Sequence, residues 1–120
     1  MPGRLTTHVL DTTQGRPAAD VPLQLWLLGG EGSRRTLLKV LRTNGDGRTS
    51  EPLLQGHELV MGRYELVFAV GKYFVAQGLA LADPPFLDEV PIRFGIARVE
   101  EHYHVPLLIS PWAYSTYRGS

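Results

Sequence analysis

The end of the chain concentrates side chains that could bind a polar ligand or move a proton. His102 and His104 open a strand-like run, and the segment Tyr117–Ser120 closes the sequence with a phenol, a guanidinium and a hydroxyl. Chain ends usually fray and carry little information, whereas a functional site needs its groups held on a rigid element. The composition of residues 102–120 therefore indicates a functional site, with a polar edge strand as the structural alternative.

Two residues elsewhere in the chain have matching chemistry. His8 lies near the start, and Arg48 follows a turn-like segment at residues 44–47. Imidazoles exchange protons near neutral pH, and a guanidinium can stabilise charge that develops on oxygen. If His8, Arg48 and His104 converge, they could polarise a carbonyl and activate water. Each also has a structural interpretation, because strand histidines are often hydrogen-bonded scaffold and turn arginines are usually solvated.

The remaining histidines give weaker signals. His102 and His104 have His-x-His spacing on one strand face, which could bind zinc. No carboxylate or third histidine is placed by the sequence to complete such a site. His57 belongs to a polar segment, residues 55–58, and is interpreted as surface loop. The sequence therefore predicts no metal site.

The elements that must position these groups are short and alternate in polarity. Side chains in a strand point to opposite faces in turn, so Thr6, His8 and Leu10 share one face of the first strand. In the late strand, His102 and His104 lie opposite an apolar face. Both sets of imidazoles are thus expected to point away from the core.

The pattern predicts an antiparallel sandwich or barrel. The asparagine and glycines of residues 44–47 indicate a turn, and Pro84-Pro85 indicates an extended loop. One short helix is predicted at Lys72–Leu79. Strands are predicted at Leu5–Asp11, Leu23–Leu28, Leu37–Arg42, Tyr64–Ala69, Val90–Gly95, Tyr103–Ile109 and Trp112–Tyr117, with a weaker one at Thr49–Leu54.

Composition limits the class of protein. The 120 residues suit one domain, and 43% hydrophobic with 20% charged residues is typical of a soluble globular chain. Twelve basic and twelve acidic residues give zero net charge, which argues against nucleic acid or membrane partners. Cysteine is absent, which excludes disulfides. The first residues lack the apolar core of a signal peptide, so a cytoplasmic location is expected.

Several segments, taken together and in order, resemble one family, the 5-hydroxyisourate hydrolases, which are transthyretin-related enzymes of urate breakdown. The resemblance covers nearly the whole chain, and its most specific part is the pair His-x-His-Val-Pro-Leu-Leu and terminal Tyr-Arg-Gly-Ser. The matching segments are Leu5–Thr12, Thr43–Arg48, Gly62–Leu66, Lys72–Phe74, His102–Pro111 and Tyr114–Ser120.

This resemblance implies an all-β, transthyretin-like (prealbumin-like) sandwich of two four-stranded sheets with one short helix, spanning residues 1–120 as a single domain. It implies a homotetramer, a dimer of dimers, with active sites in the channel between dimers and no metal or organic cofactor. The catalytic residues it implies are His8, Arg48 and His104. Substrate would be bound by His8, Arg48, Tyr117, Arg118, Gly119 and Ser120.

The activity implied by the resemblance is hydrolytic opening of the ring of 5-hydroxyisourate, a cyclic amide, to 2-oxo-4-hydroxy-4-carboxy-5-ureidoimidazoline. Which histidine acts as the base stays open. An alternative is a transthyretin-like protein that binds a small hormone without catalysis, since fold does not settle function. An adhesion or interaction module would explain the strands but leave the polar cluster unexplained.

Overall fold

The computed structural model describes residues 3–30 and 34–120, which form two β-sheets and one short α-helix. The helix α1 is Val70–Ala76, and a 3-10 turn covers Gly56–Glu58. The strands are β1 (Arg4–Asp11), β2 (Arg16–Pro17), β3 (Pro22–Leu28), β4 (Arg35–Arg42), β5 (Leu54–Gln55), β6 (Gly62–Phe68), β7 (Val90–Ile96), β8 (His102–Ile109) and β9 (Tyr114–Thr116).

The first sheet carries the residues of interest. Its strand order is β2-β1-β8-β9, and the short β5 also pairs with the beginning of β1. The strands β1 and β8 run parallel over their whole length, from Arg4 opposite His102 to Asp11 opposite Ile109. This pairing joins two strands that are nearly a hundred residues apart in sequence, and it sets every side-chain neighbour across the two strands.

The second sheet, in the order β4-β3-β6-β7, is antiparallel throughout. It packs its inner face against the first sheet, as in other aligned sandwiches. The core comes from both inner faces and includes Leu5, Val9, Tyr64, Phe68 and Leu107, each fully buried. Burial of such side chains is the main force that holds the sheets together, at about 1.5–3 kcal/mol each.

The helix α1 follows β6 directly and anchors the far end of β1. The Tyr73 hydroxyl donates a 2.7 Å hydrogen bond to Oδ2 of buried Asp11. The other carboxylate oxygen of Asp11 accepts the backbone N–H groups of Thr13 and Gln14. Burial, and then Asp11, raise the pKa of Tyr73. This phenol therefore stays a hydrogen-bond donor at neutral pH and ties the helix to the first sheet.

The predicted alternation of faces is confirmed. In β1, Leu5, Thr7 and Val9 are buried while Thr6 and His8 are half exposed. In β8 the even-numbered histidines lie on the same outer face, because the inner positions from Tyr103 onward are buried.

Some predicted elements differ from the structure. The weak strand at Thr49–Leu54 is wrong except for its last residue: pairing begins only at Leu54, after Pro52, which cannot donate to a ladder. The helix begins at Val70 and ends at Ala76, earlier at both ends than predicted, and it has no side-chain cap to mark its start. The two-residue strand β2 was not predicted. His57 is exposed, but it lies in the 3-10 turn.

Within residues 3–30 and 34–120, no helix has the length and apolar character needed to cross a bilayer.

Candidate active site

Thr6 links two histidines on the outer face of the first sheet. The parallel register places Thr6 directly opposite His104. Its hydroxyl oxygen lies 2.8 Å from Nδ1 of His104 and 2.9 Å from Nε2 of His102. The two rings are 6.2 Å apart between centroids. One threonine therefore contacts both imidazoles that the His-x-His spacing had placed on this face.

His8 occupies the next outward position of β1 after Thr6. Its Nε2 lies 2.8 Å from the carbonyl oxygen of Asp46. Because a carbonyl can only accept, Nε2 must carry a proton, and in the neutral ring Nδ1 is then an acceptor. The turn at residues 44–47 thus fixes the protonation pattern of His8.

The same turn positions Arg48. Asn44 accepts the backbone N–H groups of Asp46 and Arg48 through its side-chain oxygen, at 2.9 and 3.2 Å. The turn is docked on β1 by the backbone bond from Val9 to Gly47, at 2.8 Å. Gly47 has a φ of +75°, and a Cβ there would collide with the carbonyl oxygen of Val9. Only glycine fits this close approach. The turn Asn-Gly-Asp-Gly therefore fixes the position of the Arg48 backbone relative to β1.

These groups surround one cavity of about 380 Å³, a size suited to a small ligand. The residues of interest that line it are Arg4, Thr6, Arg48, His102, His104 and Ser120. His8 is not among the lining residues of this cavity. It lies beside the cavity, close enough to contribute to the lowered pKa of His104. The structure therefore brings Arg48 and His104 into one cavity and places His8 at its margin.

The chain end divides into two parts. The N–H of Gly119 donates to the carbonyl oxygen of His104 at 2.8 Å, which holds the terminus against β8. A Cβ at Gly119 would lie 2.6 Å from Cδ2 of the His104 ring. Ser120 then lines the cavity. The last two residues thus pack on the site because position 119 has no side chain.

Tyr117 and Arg118 lie elsewhere in this chain. They line a separate cavity of about 270 Å³ at the sandwich edge, between β7 and the end of the first sheet. Arg118 donates to Glu101 at 2.9 Å, and its guanidinium lies 4.2 Å from the ring centre of Tyr103. The structure does not bring these two side chains to the cavity that holds His104.

The surroundings of the histidine pair favour neutral rings. The pKa of His104 is lowered from 6.5, first by burial and then by the positive charge of Arg48, with His102 and His8 contributing further. The pKa of His102 is lowered by burial and then by Arg4. Both imidazoles are therefore uncharged at neutral pH and can accept protons.

The predicted absence of a metal site stays a prediction. Among the residues that the structure describes, no group of three or more histidine, aspartate or glutamate side chains is arranged to hold a metal ion.

Thr6 is the site residue that sequence reasoning missed as a functional group. The period of two had placed it on the outer face beside His8. Its contact with His104 depends on the pairing of β1 with β8, for which the sequence carries no local signal.

The fold and the polar outer face define a class: a transthyretin-like β-sandwich. The crystal structure of transthyretin from Sparus aurata matches with a TM-score of 0.85 and 25% identity, covering 97% of this chain and 96% of that one. The chain belongs to the HIUase/Transthyretin family, whose model matches residues 5–119.

The chain is also similar to two named enzymes. The 5-hydroxyisourate hydrolase of Mesorhizobium japonicum is 60% identical over 98% of this chain and 93% of its own length. The crystal structure of (S)-allantoin synthase matches with a TM-score of 0.92 and 46% identity over 99% of this chain. The match spans only 44% of the allantoin synthase chain.

Proposed function

We propose that this protein is a hydrolase that converts 5-hydroxyisourate to 2-oxo-4-hydroxy-4-carboxy-5-ureidoimidazoline in urate degradation. The observation that carries the proposal is the cavity in which neutral His104, the cation Arg48 and the terminal Ser120 meet, with His8 at its margin. A small polar heterocycle suits this lining. The similarity to proteins named 5-hydroxyisourate hydrolase supports the same reading.

The reaction is hydrolysis of a cyclic amide, in which water attacks a ring carbonyl. One of His104 and His8 takes the proton of the attacking water, and the other positions the water or returns a proton to the leaving ring nitrogen. A neutral imidazole suits the first task. The free acceptor nitrogen on His8 is Nδ1, because Nε2 is committed to Asp46.

Arg48 holds the substrate and stabilises negative charge on the carbonyl oxygen during attack. Its planar fork offers paired donors that lysine lacks. Arg48 is exposed at the mouth of the cavity, and its backbone is held by Asn44. The guanidinium can therefore close on a ligand without disturbing the turn.

The terminal segment Tyr117–Ser120 completes the wall of the site in this proposal. Gly119 and Ser120 already pack against His104 and the cavity. Within one chain, Tyr117 and Arg118 line the cavity at the sandwich edge. The proposal therefore requires the oligomer to bring these two side chains into contact with the substrate.

We further propose a single domain over residues 1–120 that works in the cytoplasm as a homotetramer, a dimer of dimers, with its sites in the channel between dimers. The outer face of the first sheet supports this assembly, because Leu10 and Leu108 are paired there and only half buried. Trp112 is 68% exposed next to the same sheet. Apolar side chains on an outer face are common at interfaces.

The test is a rate measurement on freshly oxidised urate. Purified protein should speed the loss of 5-hydroxyisourate absorbance well above the spontaneous rate. His104→Asn protein, prepared in the same way, serves as the control for contaminating hydrolases. Tight hormone binding without any acceleration would favour the transthyretin-like alternative and overturn the proposal.

A further inference from the structure

The Thr6 hydroxyl has one proton and two imidazole neighbours. Its oxygen lies within hydrogen-bond distance of Nδ1 of His104 and Nε2 of His102. A hydroxyl can donate only one hydrogen bond but can accept two. At least one of the two rings must therefore carry its proton on the nitrogen that faces Thr6.

The position of that proton decides what His104 can do. Thr6 occupies Nδ1, which leaves Nε2 as the nitrogen available to water or substrate in the cavity. If Nδ1 carries the proton, Nε2 has a free lone pair and His104 can act as a base. If Thr6 donates to Nδ1 instead, Nε2 carries the proton and a neutral His104 cannot accept another there.

We propose that Thr6 is a positioning residue that holds His104 as the Nδ1–H tautomer, and that it does so because His102 accepts the Thr6 proton. The chain of donors then runs from His104 Nδ1–H to the Thr6 oxygen, and from the Thr6 hydroxyl to His102 Nε2. This inference rests on the proposed function for its catalytic meaning, but the tautomer itself is a property of the free protein.

The surroundings are compatible with this direction. His102 is the exposed member of the pair, so its own Nδ1–H remains able to donate to water while Nε2 accepts from Thr6. His104 is half buried, and its Nδ1 has Thr6 as its neighbour rather than bulk water. Free histidine in water prefers the Nε2–H form, so the Nδ1–H form of both rings has to be held by their hydrogen bonds with Thr6. Both rings stay neutral at neutral pH, as the arrangement requires.

Nitrogen NMR of the histidine rings tests the tautomer directly. At a pH above 7.5, roughly one unit above an ordinary imidazole pKa, wild-type His104 should show a protonated Nδ1 and a bare Nε2. Thr6→Val and His102→Phe should both shift His104 toward the Nε2–H form. Thr6→Ser keeps the hydroxyl and should restore the wild-type pattern. Thr36→Val, a matched change at an exposed position of β4, should leave it unaltered.

Kinetics then connect the tautomer to turnover. We expect Thr6→Val and His102→Phe to lower kcat at least about tenfold with little change in KM, since a positioned base is worth about 100-fold to 10,000-fold. Thr6→Ser should stay within about twofold of wild type. If Thr6 had only a structural role, its substitution would change the melting temperature but leave the NMR signals of the His104 ring nitrogens unchanged.

The outcomes separate this inference from the proposed function. A wild-type His104 in the Nε2–H form, or an unchanged tautomer and kcat in Thr6→Val, would overturn it. If Thr6→Val does not fold, His102→Phe and Thr6→Ser give the same decision. A wild-type protein that fails to accelerate 5-hydroxyisourate decay refutes the function, while the NMR result still decides the role of Thr6.

Discussion

His104 is the residue whose environment most changes its chemistry. Burial and the neighbouring Arg48 hold its pKa below 6.5, so the ring stays neutral as pH falls until it passes through that lowered value. Protonation then prevents His104 from acting as a base. If His104 is the base, the acid limb of kcat/KM should have its midpoint below pH 6.5, and kcat/KM should approach its plateau toward neutral pH.

Arg48 can be tested for both charge and shape. Arg48→Gln removes a positive charge, so the pKa of His104 should rise, whereas Arg48→Lys keeps the charge and should leave that pKa lowered. Both variants should lose turnover, by about 100-fold to 1,000-fold for a lost oxyanion donor. The free energy of unfolding should change by less than about 0.5 kcal/mol, because Arg48 is exposed. NMR titration of His104 and steady-state rates are the measurements.

Arg63→Gln supplies the matched control for Arg48, because Arg63 is exposed on β6 of the other sheet. It should alter neither the His104 titration nor the rate. Normal turnover per folded molecule in Arg48→Lys would remove Arg48 from the mechanism.

The two proposed catalytic histidines are expected to respond alike to substitution. His8→Asn and His104→Asn should each keep the oligomer and lose activity by about 100-fold to 10,000-fold. Rates on 5-hydroxyisourate and mass from light scattering provide the comparison. Exposed His57→Asn is the control and should be fully active. A wild-type rate in either folded site variant would exclude that histidine as base or acid.

At this scale the sequence predicts residue types and faces but not contacts. His8, Thr6 and His104 follow from alternation, since each lies on the outward side of its strand. Their meeting could not be predicted, because β1 and β8 are distant in sequence and pair in parallel without a local turn. Arg48 and Ser120 were singled out by residue type and position, the resemblance then assigned them to a site, and the structure adds Thr6.

The turn at residues 44–47 and the chain end are the elements that complete the site. Both depend on glycine for close approach: Gly47 lies against the Val9 carbonyl and Gly119 against the His104 ring. The turn was predictable from its asparagine and glycines. The contact of this turn with β1 was not predictable, because the sequence of residues 44–47 does not indicate that Val9 is their partner.

The chain end should be sensitive to small additions. Gly119→Ala would place a Cβ 2.6 Å from His104 Cδ2, so the ring or the terminus must move. We expect a large loss of kcat with the sandwich still folded. Gly45→Ala, where a Cβ has nothing within 4 Å, is the control. Rates and thermal melting compare the two.

Removal of Tyr117–Ser120 should abolish activity as well, since the deletion takes away both Gly119 and Ser120. The inner positions of β8, such as Leu107 and Ile109, remain in the core. A C-terminal tag should be harmful and an N-terminal tag tolerated. A fully active deletion would mean that the terminus has no part in the site.

At the scale of the whole molecule, the outer faces of the two sheets carry different groups. The outer face of the first sheet holds the histidines at one end and the half-buried pair Leu10 and Leu108 at the other. On the second sheet, Glu65 is buried and satisfied by Arg35 and Arg93 at 2.9 and 2.8 Å. The second sheet is thus covered by ion pairs around Glu65, although its edge strand β4 also exposes Leu37, Leu38 and Val40. What distinguishes the first sheet is an apolar pair on the same outer face as the histidines.

If the first sheet forms the tetramer interface, a charged side chain introduced there should dissociate the tetramer into dimers. The same change should lower the rate on 5-hydroxyisourate. Leu108→Glu replaces a half-buried outer side chain without touching the core, so each chain should stay folded. The buried carboxylate would have no partner in an apolar interface, a cost large enough to favour dissociation. Light scattering should give a smaller particle, and the rate on 5-hydroxyisourate should fall with it. Val40→Glu, at a position 65% exposed on β4, should change neither. An active Leu108→Glu dimer would place the complete site within one dimer and contradict the channel between dimers.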